Sequence, residues 1–326
     1  VYRGKPLSSH FSTQRKWLNK SYSDLQGNNE KEEFVHKLTD LASYWRNVKG
    51  FDHTTLACFH GLAGLTPDEK QTVILCVKYL DQAGHRMADT LLSRFYALIE
   101  RGNSGADRAF LDVAKLLCAF FTLWRSVGSN AGLDEVYRRL LNSEDDSAPD
   151  FSWNAIVTSA DTSKLKKSLY KSLRTENKVI SKEDWLERAS VNLKYDSARA
   201  VCKFALLVSS HDTIPDSNNP GLMKKGHKGV AVYFDYVHWS SSDLKTIEHV
   251  APQSDGNSGW DKEIYREQLE HSVGNLTLLP TSINSSVGNR SWEEKEIYFR
   301  HLAKKDEVEL LRIRDEAANK GIVLSA

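Results

Sequence analysis

Between Ala106 and Val127 the chain places Leu116, Leu117, Cys118, Phe120, Phe121 and Trp124 so densely that apolar side chains cover nearly every side of the helix they would form. A helix that is apolar all round has to be enclosed by others, so this run predicts the buried centre of a helical bundle. The flanking sequence supplies the enclosing helices. Phe34, Leu38, Leu41, Trp45 and Val48 recur at helical spacing until Gly50. Thr66-Pro67-Asp68-Glu69 is a capping box with proline at the first helical position, and it opens a helix through Leu80. Arg86 to Glu100 forms a further helix stopped by Gly102, and Leu133 to Leu141, Thr162 to Leu173, Ser181 to Ser190 and Tyr195 to Ser209 continue the series. There is no internal repeat, so the pattern reads as one bundle of about eight helices, built from local periodicity.

A chain of 326 residues, 40% apolar and 27% charged, is long enough for two domains and ordinary for a globular protein. No apolar run approaches the span of a bilayer and no basic-then-apolar signal pattern opens the chain; the expected compartment is the cytoplasm, with no membrane partner. The sequence starts at Val1 rather than Met and reads as a piece of something longer. Cys58, Cys76, Cys118 and Cys202 are widely spaced with no C-x-x-C, which predicts buried free thiols rather than a zinc knuckle or a disulfide framework. The formal net charge is +1, but it is unevenly spread: from residue 241 onward 11 Lys and Arg face 15 Asp and Glu, a net of −4. Any affinity for a polyanion must then come from local patches or from the helical part.

Residues 1–29 read as an irregular basic lead-in, with Arg3, Lys5, Arg15, Lys16 and Lys20 and the anchors Phe11 and Trp17. Residues 30–210 are the bundle. Within it Lys164, Lys166, Lys167, Lys171, Arg174 and Lys178 crowd one helix and its exit; such a run is either a solvated face or a grip on a nucleic-acid backbone. Residues 211–229 form a Gly- and Pro-containing junction loop, with Asn-Asn-Pro-Gly and a Lys224-Lys225 pair, that lacks the pattern of a phosphate-binding loop. Residues 230–326 form the last domain. It is expected to begin with a strand over Val230 to Trp239, where β-branched and aromatic residues concentrate. Ser291-Trp292-Glu293-Glu294 is another capping box, opening a helix through Leu302 that would bury Trp292, Ile297, Tyr298 and Leu302, and Asp306 to Ala318 forms a final charged helix.

The chemistry concentrates between Thr246 and Leu302. Ile247-Glu248-His249-Val250-Ala251-Pro252-Gln253 is a short run that brings a carboxylate and an imidazole side by side and is stopped by proline. Gly274-Asn275-Leu276-Thr277-Leu278-Leu279-Pro280 is a second short strand, and Asn284 follows in the first turn of a helix. Each piece alone is ordinary, since Gly-Asn before a strand is usually a turn. Strand, strand and helix together, each with a polar group, are what a small one-metal phosphodiesterase requires. A hydrated divalent cation takes oxygen ligands, here Glu248 and Asn284, and His249 has an ordinary pKa near 6.5 from which to take a proton from water. One physical objection stands beside this. Adjacent strand residues point to opposite faces, so Glu248 and His249 converge only if the strand bends or ends there. His271 reads as a surface residue rather than a ligand.

Glu248-His249-x-x-Pro252-Gln253, Gly274-Asn275-Leu276-Thr277-Leu278-Leu279, Asn284 and the later Asn289, Trp292 and Lys295 resemble the HNH (ββα-metal, His-Me finger) nucleases. More narrowly, they resemble the HNH domain at the C-terminus of GmrSD-type modification-dependent restriction enzymes, a family that includes nucleases sensing phosphorothioated DNA. The resemblance covers about the last quarter of the chain. It implies His249 as general base, Asn275 as the brace of the loop that holds it, and Glu248 with Asn284 as ligands of one Mg²⁺ or Mn²⁺. Two departures are visible: Glu248 stands where Asp is frequent, and the third position is asparagine. Full-length relatives carry an N-terminal nucleotide-hydrolysing domain with a D-G-Q-Q-R-type motif, which is absent here. The resemblance thus implies a missing sensor domain as partner in the longer protein.

The reading is an α+β, mostly α chain: a helical bundle followed by a small ββα-metal nuclease domain. It would hydrolyse DNA phosphodiester bonds with His249, Asn275 and Asn284 as catalytic residues, in a restriction or anti-phage system. One such site cuts one strand, so nicking is expected unless two copies meet as a homo-oligomer. Lys164, Lys167, Lys171, Arg290 and Lys295 are the candidate DNA contacts. The different-class alternative is a catalytically idle DNA-binding or oligomerisation module of a defence complex, and RNA is an alternative substrate.

Overall fold

The computed structural model describes residues 10–50, 62–142, 160–219, 222–254, 259–304 and 306–324. Arg3 and Lys5 of the lead-in, Cys58 and the Pro220-Gly221 pair lie outside the described residues. The architecture is α+β and mostly α, in two compact units, Val1–Arg188 and Ala189–Ala326.

The first unit is the helical one. The helix α5 (Ala106–Ser126) is its centre: Leu111, Val113, Ala114 and Trp124 are fully enclosed, as the sequence predicts. Around it stand α3 (Pro67–Gln82) and α4 (Ala88–Glu100), with α6 (Leu133–Leu141) and α7 (Ser163–Thr175) completing the group. The Thr66–Glu69 capping box forms in both directions, Thr66 N donating to Glu69 Oε2 at 3.0 Å and Glu69 N to Thr66 Oγ1 at 3.3 Å. Gly102, at φ +69°, ends α4 in the left-handed region where a glycine carries no steric penalty. Two expectations are corrected. Phe11–Ser23 is a helix, α1, rather than an irregular lead-in; it buries no residue, and its amphipathic spacing is too weak to announce itself. After α2 (Asn28–Tyr44) the backbone enters a π-helical turn over Trp45–Lys49. The extra residue in that turn shifts the register, leaving Trp45 about half exposed while Val48 is buried.

The second unit begins in the last turn of α8 (Lys182–Asn192). Its first long helix is α9 (Tyr195–Ser210), interrupted at Ala198, where φ −148° and ψ 45° leave the helical region. A hairpin follows. β1 (Thr213–Pro215) pairs antiparallel with β2 (Met223–Lys225), so the stretch read as a junction loop is ordered by a ladder and by Asp216, whose carboxylate accepts from Asn218 N and from the Asn219 side chain. Gly226 is required there: a Cβ would stand 2.8 Å from Ile214 Cγ2.

The strand expected over Val230 to Trp239 does not form. β-Propensity records fit to a neighbouring pleated strand, and no strand pairs with this segment among the described residues. Instead His211 Nδ1 accepts from the backbone N–H of Tyr233 and Phe234, and Asp235 caps the short helix α10 (Tyr236–Ser240) by accepting from His238 N at 2.8 Å.

The ribbon that carries the motif follows. β3 (Thr246–His249) pairs antiparallel with β4 (Leu276–Leu279) in the register Glu248↔Thr277 and His249↔Leu276. Between them lies α11 (Lys262–Arg266); after them come α12 (Thr281–Val287), α13 (Trp292–Ala303) and α14 (Glu307–Asn319). Leu279, Val287, Ile297, Tyr298, Ile313 and Ala317 form one buried cluster that fixes these helices under the ribbon. Trp292 and Leu302 are the exceptions to the expected buried face. Both are substantially exposed and line an open apolar groove of about 380 Å³ with Val250, Thr277 and Phe299.

Candidate active site

Asn275 shows most directly how this segment is built. Its side-chain oxygen accepts from Ala251 N at 2.7 Å, and its amide nitrogen donates to Ala251 O at 2.8 Å and to Glu270 O at 2.8 Å. Its own carbonyl accepts from Val250 N at 2.8 Å. One buried-edge amide thus ties the loop leaving β3 to the turn entering β4. An asparagine carries two donors and an acceptor that accepts twice, so no shorter polar side chain would satisfy all three partners.

That clamp sets two imidazoles face to edge. His249 Nε2 stands 3.3 Å from His271 Nδ1, with the rings 5.4 Å apart at 83°. The sequence reading puts His271 at the surface, and the structure corrects this: it is a half-buried neighbour of His249. Its signal in the sequence is only its position, four residues before Asn275 in the turn that Asn275 braces. Tyr195 joins the pair, edge-on to His249 at 4.7 Å and near-parallel to His271 at 6.3 Å. Its place follows from the backbone: Tyr195 N donates to His271 O at 2.8 Å, Val273 N to Leu193 O at 3.3 Å, and Lys194 and Ser272 form an antiparallel bridge. A short strand-like pairing therefore delivers the start of α9 to the imidazoles. Arg199 lies one turn further along, its guanidinium 4.6 Å from the Tyr195 ring centre.

His249 is buried, and its pKa is pushed from 6.5 down to about 4, first by burial and then by His271, Lys295 and Arg199. The ring is neutral at neutral pH. Gln253 Nε2 stands 3.3 Å from His249 Nδ1. An amide nitrogen only donates, so in this arrangement Nδ1 accepts and the ring proton sits on Nε2. A half-turn of the Gln253 amide presents its oxygen instead, moves the proton to Nδ1 and leaves the Nε2 lone pair facing His271 Nδ1 at 3.3 Å.

Glu248 leaves the strand in the other direction. Its Oε1 pairs with Lys295 Nζ at 2.6 Å, and the same ammonium donates to His249 O at 2.8 Å. Lys295 is fully buried, and Glu248 is 6% exposed. Burial pushes the Glu248 carboxyl up from its ordinary range against the opposing pull of Lys295. Lys295 therefore has no surface from which to meet a phosphate, which corrects its expected DNA contact: its charge is neutralised inside the unit. From sequence this lysine reads as exposed, because lysine seldom lies fully buried unless paired.

Asn284, on α12, donates from its amide to Ile247 O at 3.5 Å, so it sits beside β3. Glu248 and Asn284 do not fit the cation site that the resemblance implies. The Glu248 carboxylate is committed to Lys295, and the His249 side chain turns elsewhere, to His271, Gln253 and Tyr195. Among the described residues no group of three or more His, Cys, Asp or Glu side chains is placed to hold a metal ion. Arg290 pairs with Glu294 at 3.3 Å and lies over the Tyr298 ring. Lys164, Lys167 and Lys171 are exposed on α7, in the first unit.

The site is thus a histidine pair clamped by one asparagine, with a buried Glu–Lys pair behind the strand. No curated protein sequence matches the chain. The family described as GmrSD restriction endonucleases, C-terminal domain, matches residues 143–320, a span that takes in α7, the clamp, both histidines, Asn284 and Lys295. That match covers more than half of the sequence, and the chain belongs to the C-terminal domain family of the GmrSD restriction endonucleases.

Proposed function

We propose that this domain hydrolyses DNA phosphodiester bonds as an HNH-type nuclease, with His249 as the general base. The observation that carries the reading is the His249 imidazole itself: neutral, buried at the end of β3, and held from behind by the Asn275 clamp on Ala251. With the Gln253 oxygen turned to Nδ1–H and His271 turned away from Nε2, which it faces at 3.3 Å, Nε2 takes a proton from the attacking water. The water oxygen forms its bond to phosphorus as the bond to the leaving oxygen breaks, and the leaving oxygen takes a proton from solvent. The imidazolium formed on His249 is held at Nδ1–H by the Gln253 oxygen. A base near pKa 4 is weak, held down first by burial, and an arriving phosphate opposes the part of the depression that comes from Lys295 and Arg199.

No step is routed through a cation, because Glu248 and Asn284 do not present a site for one in this arrangement; the divalent requirement is measured directly. One base serves one strand, so a single copy nicks.

The test is cleavage of supercoiled plasmid in EDTA, Mg²⁺ or Mn²⁺, comparing the wild type with His249→Ala. Loss of a general base lowers the rate by about 10²–10⁴-fold. The wild type should nick and the variant should not, with its circular dichroism unchanged. Equal cutting by the two would remove His249 from this role, and absence of cutting under all three conditions would favour a binding module.

A further inference from the structure

The second unit offers DNA no net attraction: over Ala189–Ala326 it carries 17 Lys and Arg against 19 Asp and Glu, a net of −2. Several of its cations are already committed. Lys295 is paired with Glu248, Arg290 with Glu294, Arg300 with Glu316, Lys304 with Glu309 and Lys224 with Asp216. Arg199 is different. It is exposed, and among the described residues it has no carboxylate or hydrogen-bond partner. Its guanidinium is laid over the Tyr195 ring at 4.6 Å, and that same ring stands edge-on to His249 at 4.7 Å. Backbone structure brings it to the site, through the Leu193–Val273 and Tyr195–His271 hydrogen bonds, and the break in α9 at Ala198 lies immediately before it.

We infer that Arg199 is the phosphate-binding residue of this site: its guanidinium, placed over the Tyr195 ring beside the His249–His271 pair, takes the non-bridging oxygens of the phosphodiester that His249 acts on. The inference rests on the reading of His249 as the base. Chemically the fit is specific. A guanidinium offers planar, paired N–H donors that match two phosphate oxygens, where an ammonium offers a point charge. Contact with an aromatic face holds the cation in place without using up its N–H donors. Charge that builds on the phosphate in the transition state is then met by a donor already in place. The ordinary fate of an exposed helical arginine is a solvated surface charge, and the experiment separates the two.

Arg199→Ala, Arg199→Lys and His249→Ala are compared with the wild type in steady-state cleavage, in duplex binding by fluorescence anisotropy, and in a titration with inorganic phosphate followed by the imidazole NMR signals of His249 and His271. Arg199→Ala should lower kcat by about 10²-fold, the loss seen when one preorganised donor to a developing anion is removed. Its duplex Kd should change by less than about threefold, since the other cations that meet the backbone are kept. Arg199→Lys should fall between, because it keeps charge without the planar fork. Phosphate should move both imidazole signals in the wild type and leave them unmoved in Arg199→Ala. If His249→Ala is inactive while Arg199→Ala cuts like the wild type, the inference is wrong and the nuclease reading stands. If the wild type does not cut, or His249→Ala cuts equally well, the nuclease reading fails; the phosphate titration then decides alone, and wild-type signals that do not move overturn the assignment of Arg199.

Discussion

Glu248 and His249 are adjacent, yet their side chains answer to different parts of the unit. The strand period of two sends them to opposite faces: Glu248 turns to Lys295, while His249, the last residue of β3, turns to His271 and Gln253. The Glu248–Lys295 pair therefore reads as a device that fixes the strand from behind, through the ammonium's second bond to His249 O. Such a pair is worth little against apolar replacements but a great deal against loss of one member. Lys295→Met leaves a buried carboxylate unpaired and should cost about 3–5 kcal/mol, whereas the double change Glu248→Met, Lys295→Met should recover most of that. Urea denaturation of the singles and the double gives the coupling energy. A further variant at the same position decides whether Glu248 touches a cation. Glu248→Gln should leave the Mg²⁺ or Mn²⁺ concentration for half-maximal cleavage unchanged, and a rise of about tenfold or more would return the carboxylate to a ligand role.

At the scale of elements, the periodic helices were legible and the irregular connections were not. Ala106–Ser126 announces itself because its apolar residues leave only a narrow exposed stripe of Arg108, Asp112, Lys115 and Ala119, and the Thr66 and Ser291 caps fix helix starts to the residue. What defeated the pattern was structure set by partners distant in sequence. Val230–Trp239 has the composition of a strand, but His211 and the Asp235 cap claim its backbone, and the π turn after Tyr44 breaks a period that assumes 3.6 residues per turn. The site divides in the same way. His249 and Asn275 were visible as motif residues. His271, Tyr195 and Arg199 were not, because a backbone pairing between segments far apart in sequence, the Lys194–Ser272 bridge and the hydrogen bonds beside it, brings them together. The basic face of α7 belongs to the legible part, with Lys164, Lys167 and Lys171 all exposed. Changing these three to Glu should weaken duplex binding and reduce the slope of log K against log salt by about one unit for each phosphate no longer neutralised. An unchanged slope in anisotropy titrations would make α7 a solvated face.

For the whole molecule, the two units share a sensitivity to acid that originates in different groups. In the first, His85 is buried with its ring stacked 4.2 Å from Phe121 and Nε2 2.7 Å from the Tyr137 hydroxyl, and burial pushes its pKa from 6.5 down to about 3. A neutral imidazole in the fold that becomes an imidazolium in the unfolded chain makes the unfolded state bind the extra proton. Stability is therefore full above about pH 6.5 and falls as the pH drops toward 3. Buried Asp89 and half-buried Asp40 act in the opposite sense, since desolvation raises their pKa values and protonation favours the fold. The contribution of His85 is isolated by comparing the wild type with His85→Gln, which offers Tyr137 a hydrogen bond but does not titrate. Between pH 7 and pH 5 the wild type should lose on the order of 2 kcal/mol more than the variant. His249 in the second unit, with its own lowered pKa, is common to both proteins and cancels in the difference. Hydrogen exchange of the α5 amides, corrected for intrinsic rates, reads the first unit separately. Parallel pH profiles for the two proteins would mean that His85 titrates in the folded state much as it does in the unfolded chain.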